Sequence, residues 1–416
     1  MKKSVVIFLL FISVFSCSKD DGDPIQNCAT PTNIEVSEIT HSSAVLTWLS
    51  ANESASYVIE YGETGFSLGS GTEVNVNGNS YTLSNLNANT SYDFYITANC
   101  GNNNLSTTTS VQTFTTQQPP VVAEFLPNLS ELNLFIGDLE NLTPSPYAYN
   151  YELITPLFTD YSHKQRLIAL PQGTMMQTQD DGSGLPIFPD NTVIAKTFYY
   201  NIDETNESLG KIIIETRVLI KQNGVWETGN YVWNESQTEA IYTTDGSTVN
   251  VSYTDTAGQS QTLNYEIPSG TDCFTCHSNA GAKTPIGPKL RNMNFNNQLE
   301  ELISIGLLPS NTDIASIDPL PNWEDDVNFT LEERARAYFD VNCAHCHQPG
   351  GSCAEESTMD LRYETRFTDT YIFEFKDSIL TRMMSNNVPN YSMPLIGTTI
   401  IHQEGLDLVI DYIDTL

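Results

Sequence analysis

The chain has 416 residues, 39% of them hydrophobic and 10% aromatic, which excludes a disordered polypeptide and is enough for two to four domains. With 18 Lys+Arg against 51 Asp+Glu the net charge is −33, which sets the chain against nucleic acid and anionic lipid headgroups. Such a surface keeps a protein soluble and suits a cationic partner.

At the start, Lys2 and Lys3 precede an apolar run from Val5 to Phe15. That run has signal-peptide length and is too short for a permanent span. Val14-Phe15-Ser16-Cys17 resembles a bacterial lipobox, with Val14 where Leu is usual. The resemblance implies a signal peptide over residues 1–17, an acylated Cys17 and a polar tether over 18–27. The other reading is an ordinary signal peptide with an incidental Cys. Ser18-Lys19-Asp20-Asp21 resembles the signal that sends some Gram-negative lipoproteins to the outer face of the outer membrane. It implies an outer-membrane lipoprotein facing the periplasm or the cell surface, anchored through lipid.

Residues 28–116 alternate apolar and polar in short runs, such as 44–48, 56–61 and 91–98, with Gly and Asn clusters between them. The pattern predicts an all-β sandwich. With Trp48 on an early strand and the run 83–92 leading to Tyr92, the segment resembles a fibronectin type III domain. The resemblance implies a spacer or binding platform, with Tyr92 as its tyrosine corner. Cys28 and Cys100 flank the segment, and an oxidising compartment permits a disulfide between them.

Residues 117–122, with Gln117-Gln118-Pro119-Pro120, read as a linker. Residues 123–265 open as helix or loop and then become β-rich, with runs at 197–200, 211–221, 225–233 and 239–242 that predict an antiparallel sheet. His163 is the one histidine in this region. From 266 onward strand signals fade and helical periodicity appears. Thr330 and Glu333 form a capping box ahead of a helix that runs into Cys343. Leu406, Val409, Ile410, Ile413 and Leu416 form one apolar stripe at the end. No clear helix precedes Cys273, where Pro268-Ser269-Gly270 stands.

Two segments have the spacing Cys-x-x-Cys-His: Cys273/Cys276/His277 and Cys343/Cys346/His347. Two thiols at this spacing reach the two vinyl groups on one edge of a porphyrin, and the following His offers its imidazole to the iron. One chance match in this composition is expected at roughly two in a thousand, so two are not accidental. The spacing predicts two covalently bound haem c groups. Zinc ligation and thioredoxin-like redox chemistry are the competing readings. Export argues against both, because periplasmic oxidants attack free thiols.

The helix before Cys343, the closing helix and Tyr391-Ser392-Met393-Pro394 between them resemble class I cytochrome c. That resemblance covers residues 326–416 and implies His347 and Met393 as axial ligands, with Met383 and Met384 as competitors. His345 reads as a bystander facing away from the iron, and Cys353 as an unpaired thiol. In the first segment, residues 266–325, Gly287-Pro288-Lys289-Leu290 resembles the class I stretch whose proline carbonyl accepts from the proximal His. It implies Pro288 as acceptor for His277. Met293 is the nearest sixth-ligand candidate, with His163 or an open position as alternatives.

Residues 125–416 as a whole resemble a family of exported dihaem cytochromes of Gram-negative bacteria. The matching motifs are 157–161, 233–240, Gly287-Pro288 and 342–351. The resemblance implies the haem sites and no particular reaction. The expected architecture is therefore an all-β sandwich, a β-rich region and an α-helical cytochrome c region with two haems. The expected function is electron transfer with redox partner proteins. The alternatives are a dihaem peroxidase or oxidase with an open sixth site at the first haem, and a sandwich that binds glycan or protein and carries the cytochrome as cargo.

Overall fold

The computed structural model describes residues 28–416 except 51–55, 103, 180 and 387. The signal peptide, Cys17 and the tether expected at 1–27 lie outside the described residues. The chain divides into two compact units, Met1–Pro119 and Pro120–Leu416.

In the first unit, strands β1 (Thr32–Ser37), β2 (Ser43–Leu49) and β5 (Ser80–Ser84) form one sheet in the order β1-β2-β5. Strands β3 (Ser56–Glu63), β4 (Thr72–Asn77), β6 (Ser91–Asn99) and β7 (Gln112–Thr115) form the other, ordered β4-β3-β6-β7. Alternation decides the burial: Ala44, Leu46 and Trp48 of β2 point inward and their neighbours do not. They meet Tyr57, Ile59, Phe94 and Ile96 from the opposite sheet. The Tyr92 hydroxyl accepts from the Asn87 N–H at 2.9 Å, which is the tyrosine-corner contact. A disulfide joins Cys28 to Cys100.

The second unit is built on a six-stranded antiparallel sheet. Its strands are β8 (Tyr149–Asn150), β9 (His163–Ala169), β10 (Val193–Asn201), β11 (Lys211–Gln222), β12 (Val225–Trp233) and β13 (Ala240–Thr243), in sequential order across the sheet. A hairpin, β14 (Ser247–Thr254) and β15 (Ser260–Ile267), follows. Leu167, Ala169, Val193 and Ala195 pack on one face against Leu129, Leu132, Leu134 and Leu142. Ile168, Ile194, Leu219 and Trp226 pack on the other against Leu290, Leu299 and Leu302. Residues 266–325 thus cover the sheet, and the expected cuts at 265 and 325 fall inside one compact unit.

The helices are α1 (Gly270–Cys276), α2 (Leu290–Met293), α3 (Gln298–Ser304), α4 (Leu331–Asn342), α5 (Phe367–Thr370), α6 (Ile372–Met383) and α7 (Gln403–Asp414). Strands β16 (Ser278–Asn279) and β17 (Ala282–Lys283) form a short hairpin after α1. Thr330 caps α4, its side chain accepting from the Glu333 N–H, as the capping box predicts. Ala335, Tyr338 and Phe339 of α4 pack on Leu408, Val409, Tyr412 and Ile413 of α7. Gly405 permits this close crossing, because a Cβ there would overlap the Tyr338 ring. None of the described helices is long and apolar enough to cross a membrane.

Candidate functional site

The first Cys-x-x-Cys-His segment lies on α1, a helix the sequence reading missed. Its signal was the Ser269/Asp272 pair: the Ser269 N–H donates to Asp272 at 2.9 Å, and the Asp272 N–H to Ser269 at 3.3 Å. Three residues apart on one turn, Cys273 and Cys276 share a helix face. The His277 N–H donates to the Cys273 carbonyl at 2.9 Å and closes the helix. The β16–β17 hairpin then folds the chain back, and the Thr284 N–H donates to the His277 carbonyl at 2.9 Å.

This return decides the imidazole's state. His277 Nδ1 lies 2.8 Å from the Thr284 carbonyl oxygen. A carbonyl only accepts, so Nδ1 carries the hydrogen and Nε2 keeps its lone pair. The bond orients the ring as a second partner orients a metal-ligating His. Thr284 therefore has the role expected of Pro288, because the hairpin turns back four residues earlier than the Gly-Pro stretch. Burial, with Lys196 next in importance, pushes His277 down to about 3, so the imidazole is neutral at physiological pH.

The second segment continues from α4. Cys343 caps the helix, and the His347 N–H donates to its carbonyl at 2.9 Å. Cys343, Cys346 and His347 line a cavity that is partly open to solvent. Its apolar wall includes Phe339, Met359, Leu361 and Ile379. Met393 and Pro394 line the same cavity, as does Met383, whereas Met384 is exposed. The fold thus brings the Met-Pro loop to the second segment. Burial pushes His347 down to about 4 and the Cys343 thiol up to about 12.

The two segments touch each other. The Ala280 N–H donates to the Gly350 carbonyl at 2.6 Å, and Asn279 Nδ2 to the Pro349 carbonyl at 3.2 Å. Gly350 has φ +79° and sits against Asn279 and Ala280, where a Cβ would crowd both. Thr275 and Cys276 consequently line the second cavity. Sγ of Cys276, Sγ of Cys346 and a ring nitrogen of His345 lie within 4.8 Å of one another, and the Cys353 N–H donates to the Cys346 carbonyl at 3.4 Å. His345 lies at the junction of the two segments, a placement that spacing alone did not reveal.

The fibronectin type III domain family matches residues 29–114. Residues 29–114 are a fibronectin type III domain. Solved structures match the same part. A redesigned β-sandwich protein is 32% identical over 21% of this chain and 95% of its own, with TM-score 0.19. A domain of human collagen XX is 22% identical over 21% and 91%, with TM-score 0.19. The FN5 domain of Drosophila Lar is 15% identical over 22% and 98%, also with TM-score 0.19. No curated protein matches the chain.

Beyond the type III domain, two sixth-ligand candidates for the first segment are used elsewhere. Met293 is fully buried in the core with Leu290, Leu299 and Leu302. His163 Nε2 lies 2.9 Å from Glu204, and its ring stacks on Tyr199.

The segment 157–161 clamps the loop that carries Met393. The Phe158 N–H donates to Asn342 at 2.8 Å, and its ring stacks on His402 with centroids 4.1 Å apart. Asp160, 1% exposed, accepts from the Thr399 N–H at 2.7 Å, the Thr399 hydroxyl at 2.8 Å and the Ile400 N–H at 3.2 Å. The Tyr161 hydroxyl donates to Glu404 at 2.6 Å. Asp160 and Tyr161 both have positive φ, +48° and +59°, a strained turn that these contacts hold.

His402 ties this clamp to α4, with Nδ1 3.0 Å from the Tyr338 hydroxyl. Burial pushes it down to about 4, against 6.5 when unfolded. Stability is full above pH 6.5 and is lost as pH falls toward 4, because only the unfolded chain gains the proton. His402→Gln is expected to remove up to about 3 kcal/mol of the pH 7 to 4 stability difference, read by urea unfolding at both pH values. Equal pH slopes in both proteins would contradict this.

Proposed function

We propose that the chain is an exported dihaem c-type cytochrome that passes single electrons, with haem attached at Cys273/Cys276 and Cys343/Cys346. The observation that carries the reading is the second cavity, where two cysteines, a neutral histidine and a methionine meet inside apolar walls. The residues fit the group. Each cysteine pair precedes a histidine, His277 keeps Nε2 free, and burial holds Cys343 protonated, which suits a thioether better than a thiolate. When bound, each haem supplies one-electron redox chemistry.

The protein's part is attachment, orientation and exclusion of water. His347 and Met393 would hold the haem iron at the second site, and Thr284 fixes which ring nitrogen of His277 is left to do so at the first. The hydrogen bonds between the segments favour a short relay from one site to the other. The acidic surface favours cationic redox partners, and Cys17 would tether the chain to the outer membrane. A peroxidase reading needs an acid or base over the first iron. His163, the residue considered for it, is engaged by Glu204.

One observation favours a second reading. Cys276, His345 and Cys346 form a three-ligand cluster of the kind that binds zinc. Spectra separate these readings. Two low-spin haems, inert to peroxide and carbon monoxide, are expected. A high-spin haem that reacts rapidly with peroxide would replace the carrier by the peroxidase. Met393→Ala is expected to lose a near-infrared Met–iron band at one haem, and retention of the band would contradict the assignment of Met393.

A further inference from the structure

A basic band crosses the sheet of the second unit. Arg166, Lys196 and Arg217 are direct cross-strand partners on β9, β10 and β11. Lys164 lies two pairs along on the same face, opposite Phe198, which pairs with Glu215. The charged ends of Lys164, Lys196 and Arg217 lie 5.7, 6.0 and 4.4 Å from the centre of the Phe198 ring. Like charges directly opposite across strands repel. Yet this band holds four of the chain's 18 cations. Its flanks are apolar, with Ile168, Ile194 and Leu219 on one side and Tyr200 and Tyr265 on the other. It is not an ordinary solvated face.

Neutralisation within the band is incomplete. Glu215 is fully buried and pairs with Arg217. Glu152, half-exposed, reaches Arg166 at 3.3 Å. Lys164 donates to the Ser162 carbonyl at 3.0 Å. Among the described residues, Lys196 Nζ has no hydrogen-bond or ion-pair partner, and Nε of Arg166 and of Arg217 is buried without one. Loss of water, with repulsion from Arg166 and Arg217, pushes Lys196 down to about 7. Arg166 is buried and Lys164, Lys196 and Arg217 are partly buried, and an excess of positive charge so far removed from water favours an anion. The band also adjoins the first segment: α1 packs on β12, Lys196 and Arg217 act electrostatically on His277, and Arg217 on both cysteines.

We propose that the basic band seats the carboxylate arms of the haem attached at Cys273 and Cys276, with Lys196 as a positioning residue. The inference rests on the function proposed above. A cation at this place stabilises the reduced haem, which carries one more negative charge, and so raises its potential.

The test is a spectroelectrochemical titration of the intact protein and its Lys196→Met and Lys196→Arg variants. In Lys196→Met one of the two midpoints is expected to fall by at least tenfold in the reduction equilibrium, about 59 mV for one electron. The other midpoint stays, as an internal control for folding, and Lys196→Arg keeps both near wild type. Two unmoved midpoints in Lys196→Met would overturn the proposal. Acetate added to the wild type is expected to shift neither. A saturable shift absent from Lys196→Met would overturn the assignment to haem and give the band to a free carboxylate. If no haem is attached at Cys273/Cys276, both readings fail, and the missing mass distinguishes that outcome from failure of the band alone.

Discussion

Replacing Asp160 with alanine is expected to cost about 3–5 kcal/mol and to free the loop that carries Met393. The carboxylate is buried and accepts from two backbone N–H groups and one hydroxyl. Each such bond to a charged group contributes about 1.5–3 kcal/mol. Removing the acceptor leaves the Thr399 and Ile400 donors unpaired, and leaves Asp160's own strained backbone without its support. Asp160→Asn keeps the volume and one acceptor oxygen, so its loss should be smaller. Urea unfolding gives the stability, and hydrogen exchange over residues 388–401 gives the loop. A loss below about 1 kcal/mol with unchanged exchange would mean that the clamp does not hold the Met-Pro loop.

Glu215→Gln is expected to destabilise the second unit by about 3 kcal/mol or more, because it breaks a buried ion pair from one side. Glu215 is fully buried, and its Oε1 accepts from Arg217 at 2.5 Å and from the Tyr265 hydroxyl at 2.7 Å. Without its charge, the four cations of the band keep no fully buried carboxylate of the protein beside them. Tyr265→Phe removes the 2.7 Å bond to Glu215 and a long 3.4 Å contact from Arg217 but leaves the ion pair, and should cost about 1 kcal/mol. Thermal unfolding of the two variants checks this ordering. Equal stabilities would show that the band is neutralised by other groups.

Strands and the closing helices were legible because their periodicities are local. Ala44, Leu46 and Trp48 alternate within five residues, and Thr330 with Glu333 marks the start of α4 without any distant partner. The type III domain followed from such runs and from Tyr92. Helix α1 was missed although Ser269 and Asp272 carry a capping pair, because Pro268 and Gly270 masked it. Thr284 was missed in favour of Pro288 because the hairpin between His277 and Thr284 consists of two-residue strands, too short to show alternation. Met293 looked like a ligand by distance along the chain, yet α2 buries it in the core against the sheet.

The long-range features were not legible. Arg166, Lys196 and Arg217 stand far apart in sequence, and only the register of β9, β10 and β11 sets them side by side. Asp160 meets Thr399 across 239 residues, and the 157–161 motif gave no hint of that partner. The contact between the two Cys-x-x-Cys-His segments depends on Asn279, Ala280 and Gly350, whose types carry no such signal. Such contacts are tertiary, and residue spacing does not encode them.

The most direct test is the intact mass of the denatured protein, purified from an export-competent host that attaches haem c, beside Cys273→Ala/Cys276→Ala and Cys343→Ala/Cys346→Ala. Covalent haem survives denaturation, whereas zinc held by Cys276, His345 and Cys346 would leave. The account predicts an excess of two haems in the wild type and of one in each double variant. A wild-type mass without haem, together with released zinc, would contradict it.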